Sequence, residues 1–213
     1  MKKIVTLVLF GATLASAQIT VGGKAGLNSA GFTSGSGEYI VSDQFGVNAG
    51  GFLAYEPTPI YGALLEGSYT QKGALLRPNS GSASFGVFDK SEWTLEYFEM
   101  ALTARAKLPV VEEKLFALAF AGPTLGLLVD GVRTDEYADG SESESSIKHL
   151  TSADWGFTLG GGLSIPAAQS GVEFFVVGGY TYAFADIDDE SVAYDFRNVV
   201  FNVSAGVSYS LRR

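Results

Sequence analysis

From Val199 to Leu211 every odd position is apolar, and from Asn202 onward every even one is small or polar. Val199, Phe201, Val203, Ala205, Val207, Tyr209 and Leu211 take the odd places, and Asn202, Ser204, Gly206, Ser208 and Ser210 the even ones. A period of two sends these sets to opposite faces of a strand. The run is 13 residues long, more than a globular strand needs and enough for a tilted bilayer crossing of about 9–11 residues. The same alternation predicts strands over 19–28, 45–55, 60–72, 93–108, 115–129, 153–165 and 172–184. Between them, long polar stretches (29–44, 73–92, 130–152, 185–196) alternate with short breaks (56–59, 109–114, 166–171). Long loops at one end and short turns at the other, with an even strand count, are the habit of bacterial membrane barrels. Such a sheet must close, because a free edge in lipid leaves backbone groups unsatisfied. The expected fold is all-β: an eight-stranded, antiparallel, up-and-down transmembrane β-barrel.

Period two does not say which face looks inward. A soluble barrel of the lipocalin kind turns its apolar face to the axis. Here the second face is mostly Gly, Ser, Thr, Asn and Ala with few charges, which suits a cramped lumen better than water. The aromatics also sort by height. Tyr55, Tyr61, Phe116, Phe174 and Tyr209 lie near the short breaks; Phe45, Tyr69, Trp93, Trp155, Tyr182 and Phe184 lie near the long loops. Two belts are expected at the two membrane interfaces.

Composition narrows the class further. Charged residues make up only 17% of the 213, and glycines number 27, whereas a soluble surface is about 25–35% charged. Lys2 and Lys3, an apolar run from Ile4 to Leu14 and Ala15-Ser16-Ala17 form the three parts of a secretory signal. The expected division is a signal peptide over 1–17 and one barrel domain over 18–213. No later segment is an uninterrupted apolar run long enough for a helical span. The formal charge is −9, more negative still without the two leader lysines, which makes nucleic acid a poor partner. There is no cysteine, so disulfides, thiol nucleophiles and thiolate metal sites are excluded.

Five stretches, taken in order, resemble the PorT-like outer-membrane β-barrel family. They are Gly23-Lys24-Ala25-Gly26-Leu27-Asn28, Leu64 through Gly73 (LLEGSYTQKG), Leu95-Glu96-Tyr97-Phe98-Glu99-Met100, Ala121-Gly122-Pro123-Thr124-Leu125-Gly126, and Gly206-Val207-Ser208-Tyr209-Ser210-Leu211. The likeness spans the chain after the leader. It implies an eight-stranded barrel in the outer membrane of a Gram-negative envelope. It does not imply one activity, although the family's namesake belongs to a protein-secretion machinery. One departure is the end: Arg212-Arg213 follow Leu211, where such barrels often finish on an aromatic.

Three groups of residues could carry chemistry. Lys24, Glu66, Glu99, Arg105 and Lys107 fall on the lumen face. Buried charges must pair or cost several kcal/mol each, so they read first as a salt-bridge plug and second as a polar gate for small solutes or ions. The third and fourth long loops hold eleven of the 23 acids. Among these Asp186, Asp188 and Glu190 make the best candidate for a cation-binding loop, since closely spaced carboxylates suit hard cations such as Ca²⁺. Third, the one histidine, His149, lies near Ser145, Ser146 and Asp154; a nucleophile beside a base is what a lipid hydrolase needs, but a lone loop histidine reads as solvated. Gly160-Gly161-Gly162 has no following helix and reads as relief of crowding in the wall. Pro123 cannot donate to a ladder, which predicts a bulge or a departure of the strand from the membrane.

The expectation is a non-catalytic barrel without cofactor, structural or interactive through its external loops. The alternatives are a narrow porin-like channel and a component of a secretion apparatus. Expected surroundings are outer-membrane lipid and lipopolysaccharide, with envelope proteins as partners and a monomeric barrel.

Overall fold

The computed structural model describes residues 18–34, 39–79, 88–147, 153–167, 170–186 and 196–211. The leader predicted over 1–17 lies outside the described residues. Eight long strands form the wall: β1 (Gln18–Ser34), β2 (Tyr39–Glu56), β3 (Tyr61–Pro78), β4 (Lys90–Val111), β5 (Leu115–Glu136), β7 (Ala153–Pro166), β8 (Val172–Ala183) and β9 (Phe196–Ser210). Neighbours in the wall are antiparallel. β9 returns to pair with β1, from Thr20↔Ser210 to Ser34↔Phe196, so no edge is left open to lipid. A ninth strand, β6 (Glu142–Ser146), pairs only with the far end of β5, above the point where β7 joins the ring.

The apolar set faces out. Leu27, Phe45, Leu53, Leu65, Leu102, Leu159, Val176 and Phe201 are all exposed, whereas their sequence neighbours Asn28, Ala54, Thr103, Thr158, Val177 and Val200 are buried. A soluble chain with so much contiguous exposed apolar surface would aggregate; around a closed barrel this band is the surface that meets acyl chains. Two of the expected belt aromatics are not on it. Trp93 is buried inside, and Phe116 lies at the short-turn mouth beneath the ammonium of Lys107.

The strands are longer than alternation alone suggested. Residues 29–34, 39–44, 73–78, 90–92 and 130–136 are strand, not loop. Bulges hide these ends by shifting the phase. In β2 the register slips between Asp43 and Asn48, and where β4 meets β5 it slips between Glu96 and Tyr97. One extra residue turns the next side chains to the other face. Tyr39 and Val41 thus pack toward the interior on odd numbers, while Asn48 and Phe52 do so on even ones.

Pro123 departs from its expectation. No bulge occurs there. It pairs with Phe157 of β7 in continuous register. On the β4 side the register is the same before and after it, Ala101↔Thr124 and Ala104↔Ala121, with a lapse of two pairs between. Gly122 makes this workable, because a Cβ there would lie 2.1 Å from the Leu102 carbonyl oxygen. The wall also closes tightly at Gly160, where a Cβ would meet both the Gly178 carbonyl oxygen and the Phe120 ring at 2.4 Å.

Candidate functional site

The chemistry of this chain is gathered on the barrel axis, in layers set by strand register. At the short-turn end stand Glu56, Arg105, Lys107 and Glu173. Arg105 lies 3.6 Å from Glu56 and 3.8 Å from Glu173, and Lys107 bonds Glu173 directly. A mouth of about 510 Å³ opens below them, lined by Gln18, Lys107, Phe116 and Glu173 among others. Above is an apolar layer in which Leu118, Phe175 and Val177 pack with Phe52 and Phe120. Phe52 and Phe175 meet edge to face at 5.7 Å.

The next layers are polar. Lys24 pairs with Glu66 at 2.8 Å. Asn48 donates to Asn28 (2.7 Å) and accepts from Ser204 (2.8 Å), tying the neighbouring strands β2, β1 and β9 together on their inner face. A cavity of about 80 Å³ lies among Lys24, Asn48, Glu66, Lys72, Glu99 and Arg105, room for a few waters in a polar setting. Above it, Lys72 donates to Glu99 (2.7 Å) and Asp154 (3.0 Å), with the Lys72 side chain only 2% exposed. Asn198 donates to the same Asp154 oxygen at 2.8 Å.

The loop end is closed by apolar side chains. Phe32, Leu76, Trp93, Leu95, Tyr97, Phe196 and Ile147 form one buried cluster. Phe32 contacts Trp93 edge-on at 6.0 Å and Phe196 at 5.9 Å. Ile147, just past β6, is anchored by its N–H donating to the Gly131 carbonyl at 2.9 Å, so the β6 hairpin ends in a stopper. Arg133 lies over Phe88 and Trp93 and pairs with Asp135 at 2.8 Å.

All five residues expected in the lumen face it, in three separate pairings rather than one network. Their partners Lys72, Asp154, Glu56 and Glu173 did not enter the expected set. Lys72 shares a face with Glu66 by simple parity and was within reach of the pattern. Glu56 and Asp154 sit at strand ends that read as turn and loop border. Among the described residues no group of three or more His, Asp or Glu is placed to hold a metal ion. Of the proposed cation loop, Asp186 accepts from the Phe196 N–H at 3.1 Å; Asp188 and Glu190 lie outside the described residues. So does His149. Ser145 and Ser146 are exposed on β6, and Asp154 is committed to Lys72 and Asn198. At the hairpin tip, Asp139 accepts from the Ser141 hydroxyl and N–H, which hold its carboxyl below the usual aspartate range.

A closed antiparallel ring, greasy outside and charge-paired within, defines a transmembrane β-barrel. Residues 14–189 match the family described as outer membrane protein beta-barrel domain, and the chain belongs to that family. Among solved structures it is similar to the outer membrane protein OprG from Pseudomonas aeruginosa, with a TM-score of 0.55 and 11% identity over 93% of this chain and 97% of that one. Neisserial surface protein A aligns with a TM-score of 0.49 and 15% identity over 91% and 97%. Ail, the attachment invasion locus protein of Yersinia pestis, gives 0.46 and 13% over 89% and 98%. No curated protein sequence matches the chain. The protein is therefore one of the cell outer membrane.

Proposed function

We propose that this is an occluded, non-catalytic barrel that acts through its outward rim, as a structural or interaction protein of the outer membrane. One observation carries the reading: the axis is filled, by charge pairs below and by an apolar stopper at the loop end. Eight strands enclose a space that side chains just fill, and a dry apolar constriction resists ions. The rim above it is acidic and polar, with Asp130, Asp135, Glu136, Asp139, Glu142 and Glu144 on or beside the β5–β6 hairpin. Residues 1–17 serve as the export signal. The PorT-like character of the strand motifs belongs to the same reading, with lipopolysaccharide and envelope proteins as the surroundings of a monomeric barrel.

The channel reading has one observation in its favour, the 510 Å³ mouth leading toward the central cavity. Purified protein in planar bilayers separates the two. The occluded barrel gives no steady conductance; resolvable, sustained single-channel steps overturn it. Capture of partners from detergent-solubilised envelopes then tests the interaction role, and recovery of secretion components would place the protein with the family's namesake.

A further inference from the structure

The charges below the stopper nearly balance. Lys24, Lys72, Arg105 and Lys107 face Glu56, Glu66, Glu99, Asp154 and Glu173. Lys24–Glu66 is neutral, and so is the Arg105, Lys107, Glu56, Glu173 group. The single excess negative charge falls in the remaining layer, where Lys72 alone serves both Glu99 and Asp154.

Unsatisfied oxygens collect in that same layer. Asp154 Oδ1, Asn198 Oδ1 and Tyr97 Oη are buried atoms with no hydrogen-bond partner. Their residues are 4%, 1% and 0% exposed. They stand together. Asn198 Nδ2 donates to Asp154 Oδ2, Lys72 Nζ lies 4.8 Å from the centre of the Tyr97 ring and 3.0 Å from Asp154, and Gly126 packs against both Tyr97 and Asp154, a Cβ there lying 3.1 Å from the Tyr97 ring and 3.6 Å from Asp154 Cβ. An orphaned, buried carboxylate oxygen is costly. A cation answers both deficits at once, since it needs oxygen donors and carries the missing charge.

We propose that Asp154 Oδ1, Asn198 Oδ1 and Tyr97 Oη bind one monovalent metal cation of about sodium size. Three donors of this kind, one anionic and two neutral, suit a hard singly charged ion. A divalent ion would reverse the excess rather than cancel it. Lys72 and Glu99 connect the site to the central cavity, whereas the apolar stopper covers its other side. The cation locks β4, β7 and β9 together immediately beneath that stopper.

The test uses the full mature chain folded in detergent micelles, with thermal unfolding followed at fixed ionic strength as sodium replaces N-methylglucamine. The wild type gains melting temperature steadily with the logarithm of sodium concentration above the dissociation constant. Asp154→Asn, which removes the excess charge but keeps the shape, loses that dependence, and Tyr97→Phe shows a weakened one. Sodium-23 NMR on the wild type reads binding directly, through line broadening that Asp154→Asn abolishes, so the proposal stands or falls even if a variant fails to fold. A wild type whose melting is the same in sodium and N-methylglucamine overturns the proposal. So does melting that responds to pH but not to cation identity, which would put a proton on Asp154 instead.

Discussion

The two halves of the barrel interior solve one packing problem with opposite chemistry. At the loop end, Trp93, Leu95, Phe32 and Phe196 fill the axis without any need for partners. At the short-turn end, Lys107, Arg105, Glu56 and Glu173 fill it with charges that each require an opposite neighbour. Outside, both halves present the same kind of surface, because lipid makes the same demand at both levels. The difference therefore records what lies beyond each mouth. The short-turn mouth stays wet and can solvate charge. The stopper is a buried apolar cluster that offers water few partners, and in the proposed occluded barrel it keeps the lumen closed. Lys72, Glu99 and Asp154 lie at the boundary, where buried charge meets the apolar cluster, and that is where the interior is most sensitive to change.

The largest expected effect breaks this boundary. Lys72→Met leaves Glu99 and Asp154 facing each other unneutralised, at a cost of about 3–5 kcal/mol. Urea unfolding in lipid vesicles reads it, and adding Glu99→Gln and Asp154→Asn to the same chain restores most of the loss. A triple variant no more stable than the single one would refute the charge explanation. Next, Leu95→Ala opens a void in the stopper and costs about 3 kcal/mol. Because the stopper's contacts are apolar, this loss is insensitive to salt, unlike any change at the wet mouth. The smallest effect is at the rim. Glu144→Gln on fully exposed β6 changes stability by less than about 0.5 kcal/mol, while altering whatever binding the rim supports. A large loss of stability there would show that the hairpin braces the barrel through Ile147.

The wall was legible in the sequence because period two survives wherever strands face lipid. The paired strands around Leu27, Leu65, Leu102 and Phe201 could be placed from alternation alone. The stopper was not legible, for two physical reasons. Its members are apolar yet face inward, against the rule that separates a greasy outside from a small, polar lumen; Trp93 reads as a belt residue on that rule. And the bulges near Asp43 and Glu96 invert the phase, so Tyr39 and Val41 look like loop beside a strand of opposite parity. The lumen charges were half legible. Lys24 and Glu66 sit mid-strand, where parity is secure, but Glu56 is the last residue of β2, just before Pro57 and Pro59, and Asp154 borders a polar loop. Their partners across the axis come from distant strands, and pairing of that kind is a property of the closed ring that no local pattern carries.

β4 and β5 each run for 22 residues, against 12 for β8. At about 3.3 Å per residue such a strand is roughly 70 Å long, where the greasy band is only about 25 Å tall. The cylinder is thus cut obliquely, with a parapet on one flank that carries β6 and its glutamates. Among the described residues the wall stands tallest on that flank. The protein consequently has a front and a back, and its rotation about the membrane normal decides what it can touch.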